Sequence, residues 1–227
     1  MNECLICFNK FTWSINYSEI FLFRKNTRHY ICHACKSKFS RIEKNSCQNC
    51  SKPLKKVTSL CEDCRYWKNL YQGKILKNTS LYRYNEVFHD IMVQYKRYGD
   101  YEMRLVLQSL LAKIPKADLY IPLPSSPTHL KKRSFDTIRS IYEDKVKLCQ
   151  LLEKNDSESA QGEKNKAERL RTKQTFTIKQ DISIKNTPQK ILLLDDIYTT
   201  GRTLYHARDA VNKLFPQSEI QSLTLAH

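Results

Sequence analysis

Eight of the nine cysteines in this 227-residue chain fall into four Cys-x-x-Cys pairs: Cys4 with Cys7, Cys32 with Cys35, Cys47 with Cys50, and Cys61 with Cys64. The short turn inside each pair aims both sulfurs at one ion, and two such knuckles complete the tetrahedral four-thiolate set of structural zinc. A disulfide framework belongs to oxidising compartments, and the opening MNECLICFNK lacks the charged-then-apolar layout of a secretory signal. A thioredoxin-type redox motif accounts for one pair but not four, and no strand-turn-helix pattern surrounds any of them. Two zinc ions are therefore expected. Sequential ribbons put Cys4, Cys7, Cys32 and Cys35 on one ion and Cys47, Cys50, Cys61 and Cys64 on the other; an interleaved pairing satisfies the same chemistry. His29 and His33 lie near the second knuckle and read as surface histidines. Four thiolates leave no open position for water, which excludes hydrolytic zinc chemistry. A module of about 65 residues rich in Lys and Asn builds little core unaided, so the metal supplies folding energy.

Charge narrows the partner class. The chain carries 39 Lys and Arg against 23 Asp and Glu, a net charge of +16, and its first 70 residues hold thirteen basic against five acidic side chains. Such a field attracts polyanions. Within the ribbon region Lys36, Lys38 and Arg41 are the expected nucleic-acid contacts, interleaved with aromatics that include Phe8, Phe11, Trp13, Tyr17, Phe21, Phe23, Tyr30 and Phe39. Some of these could stack bases; most are expected to pack around zinc. No run approaches the roughly 18 apolar residues of a membrane span, and the cytoplasm is the expected location.

Beyond Trp67 the cysteine pattern stops and strands alternate with helices. Residues 80–84 read as a strand. Val87, Ile91 and Tyr95 recur at helical spacing before Gly99, and Leu105, Leu107, Leu110 and Leu111 predict a second helix. Residues 118–123 (DLYIPL) predict a buried strand, 128–142 one weakly patterned helix, 146–152 and 175–178 strands, 205–214 a helix and 220–226 a last strand. The run 190–195 (KILLLD) is apolar on both faces, as a central parallel strand must be. Cys149 is expected as an inert buried thiol, and the polar stretch 154–173 as a mobile loop. The fold class expected is α/β: a parallel sheet flanked by helices over 75–227, preceded by a Cys-rich double zinc-ribbon domain over 1–70.

Residues 191–203 (ILLLDDIYTTGRT) carry the ligand chemistry. A buried strand delivers Asp195 and Asp196 to its carboxyl end, where α/β proteins bind ligands. Thr199, Thr200, Gly201, Arg202 and Thr203 then lead into a helix, so backbone N–H groups, hydroxyls and the helix dipole converge on one anion. The carboxylates suit ribose hydroxyls beside that phosphate, directly or around Mg²⁺.

This run resembles the phosphoribosyl pyrophosphate (PRPP) motif of type I phosphoribosyltransferases, and together with the double ribbon the chain resembles the ComF family of competence proteins. Further matches are Tyr82 and Tyr84, KRYGD at 96–100, IPLP at 121–124, Gln161, and AERL at 167–170. One departure stands out: members usually read RGFNQ where residues 133–137 read RSFDT. The resemblance implies a type I phosphoribosyltransferase-like domain in which Asp195 and Asp196 hold the ribose of Mg²⁺-PRPP, residues 199–203 its 5′-phosphate, Arg133 lies near the pyrophosphate, and 154–173 is the lid. It further implies a role in natural transformation, in which the protein binds incoming single-stranded DNA and PRPP or a related phosphoribosyl ligand. DNA-uptake helicase or channel components are the implied partners, without membrane insertion. The alternative is an active phosphoribosyltransferase with an unidentified acceptor.

Overall fold

The computed structural model describes residues 2–12, 29–54, 59–111, 113–154, 174–180, 182, 184 and 186–227. Most of the expected lid, with Gln161, Gly162 and 167–170, lies outside the described residues, as do Trp13, Tyr17, Phe21 and Phe23.

Two short antiparallel strands, β1 (Asn2–Glu3) and β2 (Lys10–Phe11), flank the first knuckle. Two helices then begin directly on cysteines. Cys32 is the N-cap of α1 (His33–Lys36) and Cys61 that of α2 (Glu62–Leu70), each sulfur accepting the N–H of the Cys three residues on. The thiolate thus takes the place of a Ser or Asp cap, which makes metal ligation and helix initiation one event.

The sheet joins β3 (Lys77–Tyr82), β4 (Leu119–Pro122), β7 (Lys190–Ile197) and β8 (Glu219–Ala226) in the order β3-β8-β7-β4, every pair parallel. Between its strands run α3 (Glu86–Lys96), α4 (Met103–Leu110), α5 (Pro127–Arg133), α6 (Thr137–Tyr142) and α7 (Arg202–Leu214). As its two-sided apolar run requires, β7 is central. Ile191 and Leu193 point into one core with Leu204, Tyr205 and Val211, whereas Leu192 and Leu194 point into the other with Phe88, Ile91 and Tyr95.

Three expectations are corrected. The weak helix over 128–142 is two helices, because Ser134 takes a left-handed φ of 65° and Asp136 starts α6 by accepting the N–H groups of Ile138 and Arg139. Residues 146–152 are no sheet strand: Leu148 makes one bridge to Tyr120, and only β5 (Leu152–Lys154) is extended, pairing antiparallel with β6 (Phe176–Ile178). Cys149 is half-buried rather than buried.

Each ribbon is continuous with a core. Cys4, Ile31, Cys35 and Phe39 share a cluster with Tyr82, Phe88 and Leu194; Cys47, Cys50, Cys61, Cys64 and Trp67 share one with Leu76, Leu193 and Tyr205. The first ribbon also covers an exposed sheet edge, since Ile42 N–H donates to Leu81 O and Arg83 N–H to Ser40 O. The second is anchored on β3 by buried amides: Asn78 Nδ2 donates to Cys50 O at 3.2 Å, and Asn49 Nδ2 to Leu76 O at 2.9 Å. Buried polar groups survive there because they are paired.

Candidate functional site

Four sulfurs around each of two points define the metal chemistry. Cys4, Cys7, Cys32 and Cys35 form one cluster and Cys47, Cys50, Cys61 and Cys64 the other, all ligand atoms of a cluster lying within 4.8 Å of one another. This is the sequential arrangement, and it excludes interleaving. A tetrahedron with zinc–sulfur arms of about 2.3 Å has edges of about 3.8 Å; Cys7 and Cys32 Sγ are 3.8 Å apart, and Cys50 and Cys61 Sγ 3.6 Å. A disulfide needs about 2.05 Å, and every described cysteine is free. Both clusters fit a tetrahedral zinc ion.

Within each cluster the surroundings favour the thiolate at some sulfurs and the thiol at others. Burial opposes ionisation of Cys4, but the backbone N–H groups of Cys32, Cys7 and Ile6 outweigh it and bring this thiol down to about 6. Hydrogen bonds from the thiols of Cys50, Cys61 and Cys64 drive Cys47 far below the usual thiol range, whereas hydrogen bonds with Cys47, Cys61 and Cys64 hold Cys50 far above it. In the second cluster the protons kept by Cys50 and Cys64 stabilise charge on Cys47, and a metal would displace those protons. Asn49 Nδ2 lies 3.4 Å from Cys64 Sγ, and His227 Nε2 lies 3.5 Å from Cys50 Sγ, the kind of outer contacts that orient metal ligands.

The second centre stands at the carboxyl end of β7. Asp195 Oδ1 accepts the N–H of Asp196, and Asp195 O accepts the hydroxyl of the buried Tyr142. Neither carboxylate stands open to solvent: Asp196 is only 4% exposed, and Asp195 is partly buried. Burial first, and the neighbouring charge of Asp196 second, push Asp195 up to about 7. Asp196 is ion-paired with Lys96 Nζ at the last turn of α3. Sequence reasoning missed this partner, although Lys96 opens the matched KRYGD run. Arg133, at the end of α5, donates through Nε to Lys96 O at 2.6 Å. The fold thus brings Arg133, Lys96 and Asp196 together across three elements.

After β7 the chain turns through residues 199–203 into α7, with Gly201 at φ 81° as N-cap and no side-chain cap bond. Thr199 and Thr203 are exposed, Thr200 is buried. The space beside Gly201 is not open: a Cβ there would lie 2.6 Å from Tyr198 Cζ and closer to its hydroxyl. Tyr198, rather than room for phosphate, excludes a side chain at 201. Arg202 lies with its guanidinium 5.8 Å over the Trp67 ring.

A separate cleft of about 820 Å³ opens beside β4, lined by Pro122, Pro124, Ser125, Phe135, Asp136 and Lys154 among others, and not by 199–203. The RSFDT departure has a local explanation. Ser134 keeps the left-handed turn that glycine favours, and Asp136 Oδ2 accepts Ser125 N–H at 2.8 Å, tying this segment to the end of β4.

Of the nucleic-acid candidates, Lys38 and Arg41 are exposed and Lys36 partly so; Arg41 lies 5.6 Å over the Tyr82 ring. The ribbon aromatics do not behave alike. Phe8 is 71% exposed, whereas Phe39 packs edge-on against Tyr82 and Phe88 and so buttresses the sheet. Among the described residues no helix is long and apolar enough to cross a membrane.

No protein-family model matches the chain. Its sequence is 34% identical over 206 residues to the competence protein ComFC of Streptococcus pneumoniae, covering 89% of this chain and 90% of that protein. It is 27% identical over 232 residues to the competence protein ComFC of Bacillus subtilis, covering 98% and 93%. With the paired cysteine clusters and the parallel α/β sheet, this similarity along nearly the whole length makes the chain a member of the ComF family of competence proteins.

Proposed function

We propose that this chain acts in natural transformation as a zinc-stapled protein that binds single-stranded DNA and Mg²⁺-PRPP or a related phosphoribosyl ligand. The observation that carries the ligand half is the join of β7 to α7: two carboxylates at a strand end, followed by an uncapped helix start in a sequence matching a PRPP motif. In this reading Asp195 and Asp196 take the ribose hydroxyls, and 199–203 the 5′-phosphate. Arg133 stands near the pyrophosphate. Two hard carboxylates suit a Mg²⁺ held mainly by the ligand's own phosphates. Lys96 neutralises Asp196 until the ligand arrives. Zinc ions in both thiolate clusters are structural.

The DNA half rests on charge and on Phe8. Lys36, Lys38 and Arg41 supply phosphate contacts, and an exposed aromatic in the same basic ribbon offers a stacking face. Helicase or channel components of the uptake machinery are the proposed protein partners, with the protein working at the cytoplasmic side.

Calorimetry of Mg²⁺-PRPP against the full zinc-loaded chain tests the reading, repeated with a single-stranded oligonucleotide and with pyrophosphate release followed in parallel. Saturable binding to both ligands without pyrophosphate release is expected. Absence of PRPP binding overturns the ligand assignment; steady pyrophosphate release, with water taking the phosphoribosyl group, shows that the protein breaks the bond to pyrophosphate and favours the enzyme alternative.

A further inference from the structure

The second ribbon touches the phosphate loop directly. Helix α2 begins on the cluster cysteine Cys61, and less than two turns later it presents Trp67, fully buried, whose indole N–H donates to Thr200 O at 2.8 Å. Carbonyl and N–H point in opposite directions across a trans peptide, so holding the Thr200 carbonyl toward Trp67 turns the Gly201 N–H away from the ribbon. That N–H belongs to the N-cap of α7, where backbone donors meet an anion.

A second route runs through the other knuckle. His227 stands 3.5 Å from Cys50 Sγ and stacks on Tyr198 with ring centroids 4.9 Å apart. Tyr198 in turn fills the space beside Gly201. A third contact is stacking of Trp67 on Tyr205 of α7 at 4.2 Å. Both knuckles of the second cluster therefore reach the loop, and the indole N–H is the direct hydrogen bond between α2 and the loop's own backbone.

We propose that Trp67 is a positioning residue for the phosphate loop, through which metal in the Cys47, Cys50, Cys61 and Cys64 cluster and a phosphoribosyl ligand at 199–203 favour each other's binding. This rests on the reading of the loop given above. Linkage makes the effect reciprocal: if the metal-ordered helix strengthens ligand binding, the ligand must strengthen metal binding by the same factor.

Reciprocity supplies a test in the unaltered protein. Zinc partition between the protein and a zinc-selective chelator is measured at equilibrium with excess Mg²⁺, with and without saturating PRPP. The ion of the Cys47, Cys50, Cys61 and Cys64 cluster is expected to be held about fivefold more tightly with PRPP present, and the other with unchanged affinity. Trp67→Phe keeps a six-membered ring for stacking and removes the indole N–H; its zinc content and cooperative melting should persist while PRPP affinity falls about fivefold and the tightening disappears. If wild type fails to bind PRPP, the loop assignment falls and this inference with it. If wild type binds PRPP but both ions are held with unchanged affinity, the inference alone is overturned. Full PRPP affinity in a folded Trp67→Phe protein overturns it equally, and should that variant not fold, the wild-type zinc affinities decide.

Discussion

Asp195 is a carboxyl group that burial and the charge of Asp196 push up to about 7. The sign follows directly. Folded protein binds more protons than unfolded chain between the ordinary carboxylate range near 4 and this raised value, so Asp195 erodes stability as pH rises through that window. A ligand that needs the carboxylate binds with release of that proton. Affinity for Mg²⁺-PRPP is expected to weaken by up to about tenfold per pH unit below 7, and Asp195→Asn should remove this component of the pH dependence, as calorimetry in buffers of different ionisation enthalpy will register. Gly201 is constrained twice, by φ 81° and by Tyr198. Gly201→Ala should cost more than about 2 kcal/mol in a denaturant titration, a stability loss unrelated to phosphate. Asp195, Asp196 and Gly201 were legible in the sequence because one motif holds them together. Lys96 was not, since its pairing with Asp196 exists only once α3 and β7 are packed side by side.

Among the elements, β7 was legible because burial on both faces leaves an uninterrupted apolar run. Leu193→Ala, at a fully buried position, should cost about 3 kcal/mol by chemical denaturation. The break between α5 and α6 was hidden, because a serine occupies the left-handed position where a glycine would have signalled a turn. Ser134→Gly should accordingly stabilise the protein by about 1 kcal/mol, read as a raised melting temperature. The short β5 and β6 pair was half legible: three-residue strands carry too little alternation to show whether they join the sheet. Helices α1 and α2 were missed as elements, although the signal was present, since the CxxC spacing puts a thiolate at the N-cap and its partner at the third helical position.

At the scale of the molecule, the two cysteine clusters are built into the two cores that sandwich the sheet. Composition marks a boundary near residue 70, but packing continues across it. A chain cut at Lys74 would lose Trp67 from Tyr205 and Phe39 from Phe88, and its circular dichroism melt should lack a cooperative transition. Zinc chelation of the whole chain should likewise lower the global melting temperature rather than loosen the amino-terminal region alone. The net charge of +16 is the ground on which a polyanion partner is proposed, whereas the surface proposed for it depends on which ribbon side chains stay exposed, as Phe8, Lys38 and Arg41 do. The central claim is that the carboxylates ending β7 hold a phosphoribosyl ligand. Its most direct test is a calorimetric titration of Mg²⁺-PRPP at pH 8 into wild type and into the double variant Asp195→Asn, Asp196→Asn, with melting temperature and zinc content measured on the same samples. Saturable binding by wild type, lost by at least about a hundredfold in a folded, zinc-replete double variant, is the expected result; equal affinity in the two proteins would contradict it.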